Sequence, residues 1–189
     1  GCNVTLYEMK PLQFSPAHHS PLLAELVCSN SFRSDAQNSA VGLLKEEMSR
    51  LDSLVMQAAR KTAVPAGKAL AVDREKFAAF ITQTIEDNPL INIQREELRQ
   101  IPEPTENIII LATGPLTSGA MSDSLIQLTG KDRLSFYDAI APIVEGDSLN
   151  MDIIYQKSRY DDGPGDYLNC PMNTDQYQLF IDELANATY

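Results

Sequence analysis

A chain of 189 residues, 43% hydrophobic and 22% charged, is long enough for a sizeable core and one or two domains. Its net charge of −11 argues against indiscriminate nucleic-acid binding, and no apolar run approaches the roughly 20 residues of a membrane span. Three widely spaced cysteines, Cys2, Cys28 and Cys170, make no disulfide framework, and no basic-then-apolar leader opens the chain, so the expected setting is the cytoplasm.

The charge is uneven. Residues 45 to 76 hold seven basic and five acidic side chains, whereas residues 77 to 189 hold six basic and eighteen acidic ones. Any contact with a polyanion is therefore expected on the 33 to 76 side; the plainer alternative is a solvated helix surface.

Asn3 to Glu8 reads as a short strand ending in an acid. In dinucleotide-binding units the second strand ends in Asp or Glu, which hydrogen-bonds ribose hydroxyls, and a glycine-rich turn lies about 20 residues earlier. Glu8 is then either an ordinary strand-end acid or the acid of such a unit whose glycine turn precedes residue 1. Residues 11 to 39 are punctuated by Pro11, Pro16 and Pro21 and read as irregular. His18 and His19 are adjacent and have no third ligand at a typical spacing, so no metal site is expected there. Cys28 is followed by Ser29, Asn30 and Ser31, an unusual setting for a core thiol.

The recurrence of Val41, Leu44, Met48, Leu51, Val55 and Ala59 predicts one helix over 40 to 61 that buries Leu44, Met48, Leu51 and Val55. Pro65 and Gly67 end it. Ala69 to Val72 is short and apolar; Asp73 then caps a second helix with Phe77, Phe80, Ile81 and Ile85 on one face. Leu90 to Gln94 alternates as a half-buried strand does. Ile108 to Leu111 is a run of branched apolar residues closed by Ala112, Thr113 and Gly114. It predicts a central parallel strand over 108 to 112, with Gly114 at the carboxyl-end crevice where α/β ligands bind. A helix over 119 to 129 stops at Gly130, with a candidate domain boundary near 118. Phe136, Tyr137, Ile140 and Ile143 are punctuated by Pro142, and Asp161 to Gly165 reads as a turn. Tyr167 to Met172 reads as a strand. Thr174 can cap a last helix with Tyr177, Phe180, Ile181 and Leu184 inward.

Several motifs stand together in order: Val4-Thr-Leu-Tyr-Glu-Met9, Pro16-Ala-His-His19, Glu25-Leu-Val-Cys-Ser-Asn-Ser31, Val41-Gly-Leu-Leu-Lys-Glu-Glu-Met48, Val64-Pro-Ala-Gly67 and Ala71-Val-Asp-Arg74. Ala112-Thr-Gly-Pro-Leu-Thr117, Phe136-Tyr-Asp138, Ala141-Pro-Ile-Val-Glu145 and Tyr167-Leu-Asn-Cys-Pro-Met172 follow. Together they closely resemble the bacterial folate- and FAD-dependent tRNA (uracil-5-)-methyltransferases. The resemblance implies an α/β fold: a partial Rossmann-like FAD-binding domain over 1 to 118, including a helical active-site segment at about 13 to 67, and the start of an α+β insertion domain over 119 to 189. It further implies that the chain is an internal piece of a longer enzyme, inactive by itself. The activity implied is C5 methylation of uridine in the T loop of tRNA, with methylenetetrahydrofolate as carbon donor and NAD(P)H supplying electrons through FAD. No membrane and no metal are implied.

That chemistry accounts for the cysteines. Uracil C5 attacks a one-carbon unit only after a thiolate has added to C6, and a second group must then take the C5 proton. The resemblance assigns these tasks to the pair Cys28 and Cys170 without fixing which adds to C6; the assignment adopted is Cys170 as nucleophile and Cys28 as acid/base or supporting partner, and the chemistry on neighbouring ring atoms requires both to face one cleft. Cys2 is a bystander. Glu8 matches the ribose-binding acid, and Ala112, Thr113 and Gly114 match the strand end behind the flavin. Asp73 and Arg74 help shape the flavin side, or are simply a cap and a solvated cation. Two other readings are a related flavin-dependent wobble-uridine modification protein, which the cysteine motifs disfavour, and a non-catalytic RNA- or protein-binding piece.

Overall fold

A computed structural model describes residues 1–103, 108–114, 116–130, 144–158 and 165–187. The elements run β1 (Val4–Tyr7), β2 (Ser31–Ser34), α1 (Ala40–Arg50), α2 (Leu54–Lys61), β3 (Ala63–Val64), β4 (Ala69–Val72), α3 (Arg74–Glu86) and β5 (Ile91–Gln94). Then come α4 (Gly119–Thr129), a 3₁₀ turn (Gly146–Ser148), β6 (Tyr155–Gln156), β7 (Leu168–Asn169) and α5 (Thr174–Ala185). The class is mixed α/β, as expected.

β1 and β5 pair in parallel, Val4 opposite Ile91 through Tyr7 opposite Gln94. The ladder extends beyond both ends, because the Val4 amide donates to the Leu90 carbonyl (2.8 Å) and the Glu8 amide to that of Gln94 (3.0 Å). Parallel neighbours need a crossover, and the connection here includes α3. α3 begins where the sequence places it: the Asp73 carboxylate accepts from the Lys76 amide (3.0 Å), and the helix buries Phe77 and Ile81.

The second sheet has the order β2-β4-β3, antiparallel throughout. β2 arises inside the stretch that reads as irregular, and β3 inside the expected helix stop. Strands of four and two residues are too short to show periodicity; β4 supplies their pairing. The core lies where α2 and α3 cover β4: Met56, Ala58, Ala59, Leu70, Val72, Phe77 and Ile81 are buried together. The Phe32 ring stacks obliquely on Phe77, centroids 5.5 Å apart, which fastens β2 to the same core.

The single helix over 40 to 61 is corrected to two. The Leu51 amide ends α1 on the Glu47 and Met48 carbonyls, Asp52 turns the chain at φ 57°, and the Ser53 hydroxyl caps α2 through the Met56 amide. The face of α1 turned inward carries Gly42 and Lys45, not Leu44. A Cβ on Gly42 would lie 1.9 Å from the Ala36 carbonyl oxygen, so only glycine allows that approach. Lys45 Nζ donates to the Ser34 (2.8 Å) and Val41 (3.0 Å) carbonyls. Leu51 sits at the break, 82% exposed, and Leu44 and Val55 are exposed too; only Met48 keeps a place against the core.

The central strand over 108 to 112 is also corrected. Residues 108 to 114 carry no strand, and Ile108 is 91% and Ile110 82% exposed. An apolar run expresses a preference for burial. A strand also needs hydrogen-bonding neighbours, and residues 108 to 111 have no ladder partner among the described residues. Likewise the apolar face of α5 points outward, with Tyr177, Phe180 and Leu184 exposed and Ile181 half-buried. Asn173, not Thr174, caps that helix, in a reciprocal box with Gln176. The expected strand over 167 to 172 is confined to Leu168–Asn169. The expectations for 136 to 143 and for the turn at 161 to 164 lie outside the described residues.

The packing separates two apolar side chains that the sequence treats alike. Leu51→Ala should change unfolding free energy by no more than about 0.5 kcal/mol, the scale of surface substitutions. Met56→Ala, at 2% exposure, should cost about 2–5 kcal/mol in the same denaturant titration.

Candidate functional site

The two cysteine segments are attached to the β2-β4-β3 sheet near different ends of β4. Cys28 lies two residues before Asn30, and Asn30 brackets the end of β4. Its carbonyl accepts from the Val72 amide (3.0 Å), and its side-chain amide donates to the Val72 carbonyl (2.9 Å). Serine hydroxyls turn the chain from Cys28 into β2: Ser29 Oγ accepts from the Ser31 amide and Ser31 Oγ from the Arg33 amide, each at 3.1 Å. The polar residues after Cys28 thus hold the thiol at the surface, where it is exposed.

Cys170 follows β7. β6 and β7 form a two-rung antiparallel hairpin, Tyr155 opposite Asn169 and Gln156 opposite Leu168. Asn169, next to Cys170, donates from Nδ2 to the Lys157 carbonyl (2.8 Å). The hairpin reaches the turn between β3 and β4: the Tyr167 hydroxyl donates to the Ala66 carbonyl (2.8 Å), and the Gly67 amide donates to the Asp166 carboxylate. Cys170 is exposed, as is Cys2; none of the three cysteines is in a disulfide. One sheet therefore connects both cysteine segments, at its Val72 end and at its Ala66–Gly67 end. The run Ala69–Val72 between them spans about 10 Å at the usual strand rise.

The other candidate residues lie in three places. Glu8 stands at the carboxyl end of β1 in the parallel pair, where an acid can meet a ribose, and its Oε1 accepts from the Lys10 amide (2.9 Å). Asp73 and Arg74 lie at the α3 start, in the other sheet's neighbourhood. The backbone amide of Lys76, then its ammonium, hold the Asp73 carboxyl below its ordinary range. Ala112, Thr113 and Gly114 are exposed; the Thr117 hydroxyl donates to the Gly114 carbonyl (2.7 Å), and Gly114 adopts φ 68°. Glu8 stands at the end of its strand as the sequence predicts; residues 112 to 114 follow no strand.

A polar cluster below β1 escapes sequence reading. Lys10 is 3% exposed, and its ammonium donates to the Leu22 carbonyl (2.6 Å) and reaches Glu25 (3.5 Å). Glu25 also accepts from the His19 (3.0 Å) and Ser20 (3.1 Å) amides. Arg95, just past β5, donates to the Lys10 (3.1 Å) and Pro21 (3.2 Å) carbonyls, binding the loop to the end of the parallel pair. His18 Nδ1 lies 2.5 Å from Ser15 Oγ. Glu25 in a predicted loop, next to Leu26 and Val27, was the signal available, since an acid there needs partners.

The whole chain, residues 1–189, matches the family described as glucose inhibited division protein A. It belongs to that family. A relative from Desulfotalea psychrophila is 62% identical over 189 residues, all of this chain and 43% of the relative. Another from Syntrophotalea carbinolica is 56% identical over 187 residues, 99% of this chain and 40% of the relative. A third, from Staphylococcus saprophyticus, is 52% identical over 187 residues, 99% of this chain and 42% of the relative. All three are named methylenetetrahydrofolate–tRNA-(uracil-5-)-methyltransferase TrmFO. The chain spans about two fifths of their length. Among the described residues no helix is long and apolar enough to cross a membrane.

The polar cluster gives a pH signature. Burial first, then the neighbouring Lys10 charge, lowers the His18 pKa below its ordinary 6.5. Burial works against the Glu25 carboxylate, but the His19 and Ser20 amides and Lys10 outweigh it and bring its pKa below 4.5. In both cases the unfolded chain binds protons at a higher pH than the folded one, so stability is full above the ordinary value and is lost as pH falls through the folded value. Thermal melts from pH 8 downward should therefore show a first decline below 6.5 and a second below 4.5. His18→Asn should remove the first and leave the second.

Proposed function

We propose that this chain is the part of a folate- and FAD-dependent tRNA (uracil-5-)-methyltransferase that carries both reactive cysteines, Cys170 and Cys28. The observation that carries the reading is the 62% identity over all 189 residues to a relative with that name. The exposed thiols on segments joined to one sheet support it. The substrate is uridine in the T loop of tRNA, the carbon donor is methylenetetrahydrofolate, and the electrons come from NAD(P)H by way of FAD. A tRNA substrate supports a cytoplasmic setting. The division is an FAD-binding part over 1 to 118, with its active-site segment at about 13 to 67, and an insertion part from 119.

Bound FAD would supply the electrons that reduce the transferred carbon to a methyl group. Glu8, at the carboxyl end of β1, would hold its ribose; Asp73 and Arg74 would stand at the flavin side, and Ala112 to Gly114 would line the cofactor. The chain's own chemistry is done by sulfur. The Cys170 thiolate adds to C6 of the uracil, and the electron pair of the C5–C6 bond moves to make C5 nucleophilic. Once the carbon is attached, Cys28 takes the C5 proton as the folate nitrogen leaves that carbon; after the carbon has accepted a hydride equivalent, the C5–C6 double bond reforms and the Cys170 sulfur leaves as thiolate. Both thiols must reach neighbouring atoms of one ring, which requires approaches of about 3 Å.

In the full-length protein, Cys170→Ala should abolish covalent capture of a tRNA carrying 5-fluorouridine, whose fluorine blocks release from C5. Cys28→Ala should impair turnover yet retain RNA binding, and Cys2→Ala should leave both unchanged. Denaturing gels of the RNA–protein adduct read the outcome. Thiol-dependent capture that survives Cys170→Ala would reverse the assignment of the nucleophile.

A further inference from the structure

We propose that the junction of Asp166 and Tyr167 with the β3–β4 turn is the positioning device that holds Cys170 towards the sheet bearing the Cys28 segment. The role rests on the methyltransferase reading, but the joint itself is described by geometry. A hairpin of two rungs does not hold its own orientation in water. Burial of large apolar side chains does little here, since Tyr155, Tyr167 and Leu168 are all exposed. Among the described residues, the hairpin is joined to the sheet by a pair of hydrogen bonds that cross about a hundred residues of sequence: Tyr167 hydroxyl to Ala66 carbonyl, and Gly67 amide to Asp166 carboxylate.

Each side of the joint is built for this contact. Gly67 adopts φ 57°, and a Cβ there would lie 3.2 Å from Ser158 Oγ and 3.6 Å from Tyr167 Cε2. Gly165 adopts φ 79°, and its Cβ would lie 2.4 Å from Lys157 Cα. Glycine is required at Gly165 for close backbone approach, and at Gly67 the left-handed turn presents the amide to Asp166. Asp166 is itself held, because its amide donates to Ser158 Oγ (2.7 Å), and Ser158 is buried. Gln156 Nε2 donates to the Gly165 carbonyl (2.7 Å) and closes the same corner. From Tyr167 to Cys170 is three residues, a lever of at most about 10 Å. Asn169, bonded back to Lys157, limits its swing. Loss of the joint would leave the thiol chemically intact and misplaced.

The test uses the full-length protein in a Cys2→Ser background, with a bis-maleimide of about 10 Å reach and the fluorinated tRNA as separate probes. The parent should cross-link Cys28 to Cys170. Tyr167→Phe combined with Asp166→Ala should lose that cross-link and slow covalent capture at saturating RNA by about tenfold to a hundredfold, the scale of a misplacement near 1 Å. RNA affinity and the alkylation rate of Cys170 by a monofunctional maleimide should not change. Asp166→Asn, which keeps a side-chain oxygen as acceptor, should retain most of both signals; single Tyr167→Phe, which removes one oxygen and one of the two bonds, should lower both part-way and serves if the double variant fails to fold. Absence of the cross-link in the parent, or a yield indifferent to the junction variants, overturns the proposal whatever capture does. A junction-dependent cross-link in a parent that captures no RNA supports the positioning role and sinks the methyltransferase reading instead.

Discussion

Hydrogen bonding along both edges of β4, together with burial of its Val72 side chain, is the constraint on which the rest of the described structure depends. Val72 is fully buried, among Met56, Ala58 and Ala59 of α2 and Phe77 and Ile81 of α3. A side chain of that kind contributes about 1.5–3 kcal/mol by leaving water. β4 is a middle strand: one edge takes β2 and the other β3. Its carboxyl end passes directly into the Asp73 cap of α3, so strand, helix start and core are fixed together. α3 then leads to β5 and hence to the parallel pair with β1.

The candidate site follows from that arrangement. β2 brings the Cys28 segment to Val72 through Asn30, and the β3–β4 turn receives the Cys170 hairpin through Ala66 and Gly67. Short irregular segments carry the thiols, and a rigid strand sets the spacing of their anchors. Around β1 the organisation is different: a buried ammonium, Lys10, is compensated by a carbonyl and a carboxylate, and Arg95 ties the loop to β5. A charge so placed is costly unless every partner stays, which binds the 10 to 25 loop to one shape. That loop begins just after Glu8, whose carboxylate accepts from the Lys10 amide.

Much of this was legible where local signals agree with packing. The Asp73 cap, the Phe77 and Ile81 face, the strands at 4 to 7 and 91 to 94, and the helix stopped by Gly130 follow from pattern alone. The break at Leu51 to Ser53 was hidden by a hydrophobic stripe that runs straight through it; the serine cap is a weaker signal than the stripe. Ile108 to Leu111 and the α5 face show the opposite failure, in which side chains suited to burial are left largely exposed among the described residues. Cys28 and Cys170 were visible by type and motif. Their attachment through Asn30, Asp166 and Tyr167 was not, because contacts across about a hundred residues leave no local periodicity.

Native-state hydrogen exchange tests most directly whether one sheet holds both cysteine segments. The amide of Val72, bonded to Asn30, and that of Gly67, bonded to Asp166, report the two attachments separately. If both are structural, the Val72 and Gly67 amides should each be protected well above unfolded-chain rates, and Asp166→Ala should release Gly67 while leaving Val72 slow. A Gly67 amide that exchanges at the unfolded-chain rate while Val72 remains protected would contradict the account, because the Cys170 hairpin would then not be docked on the sheet.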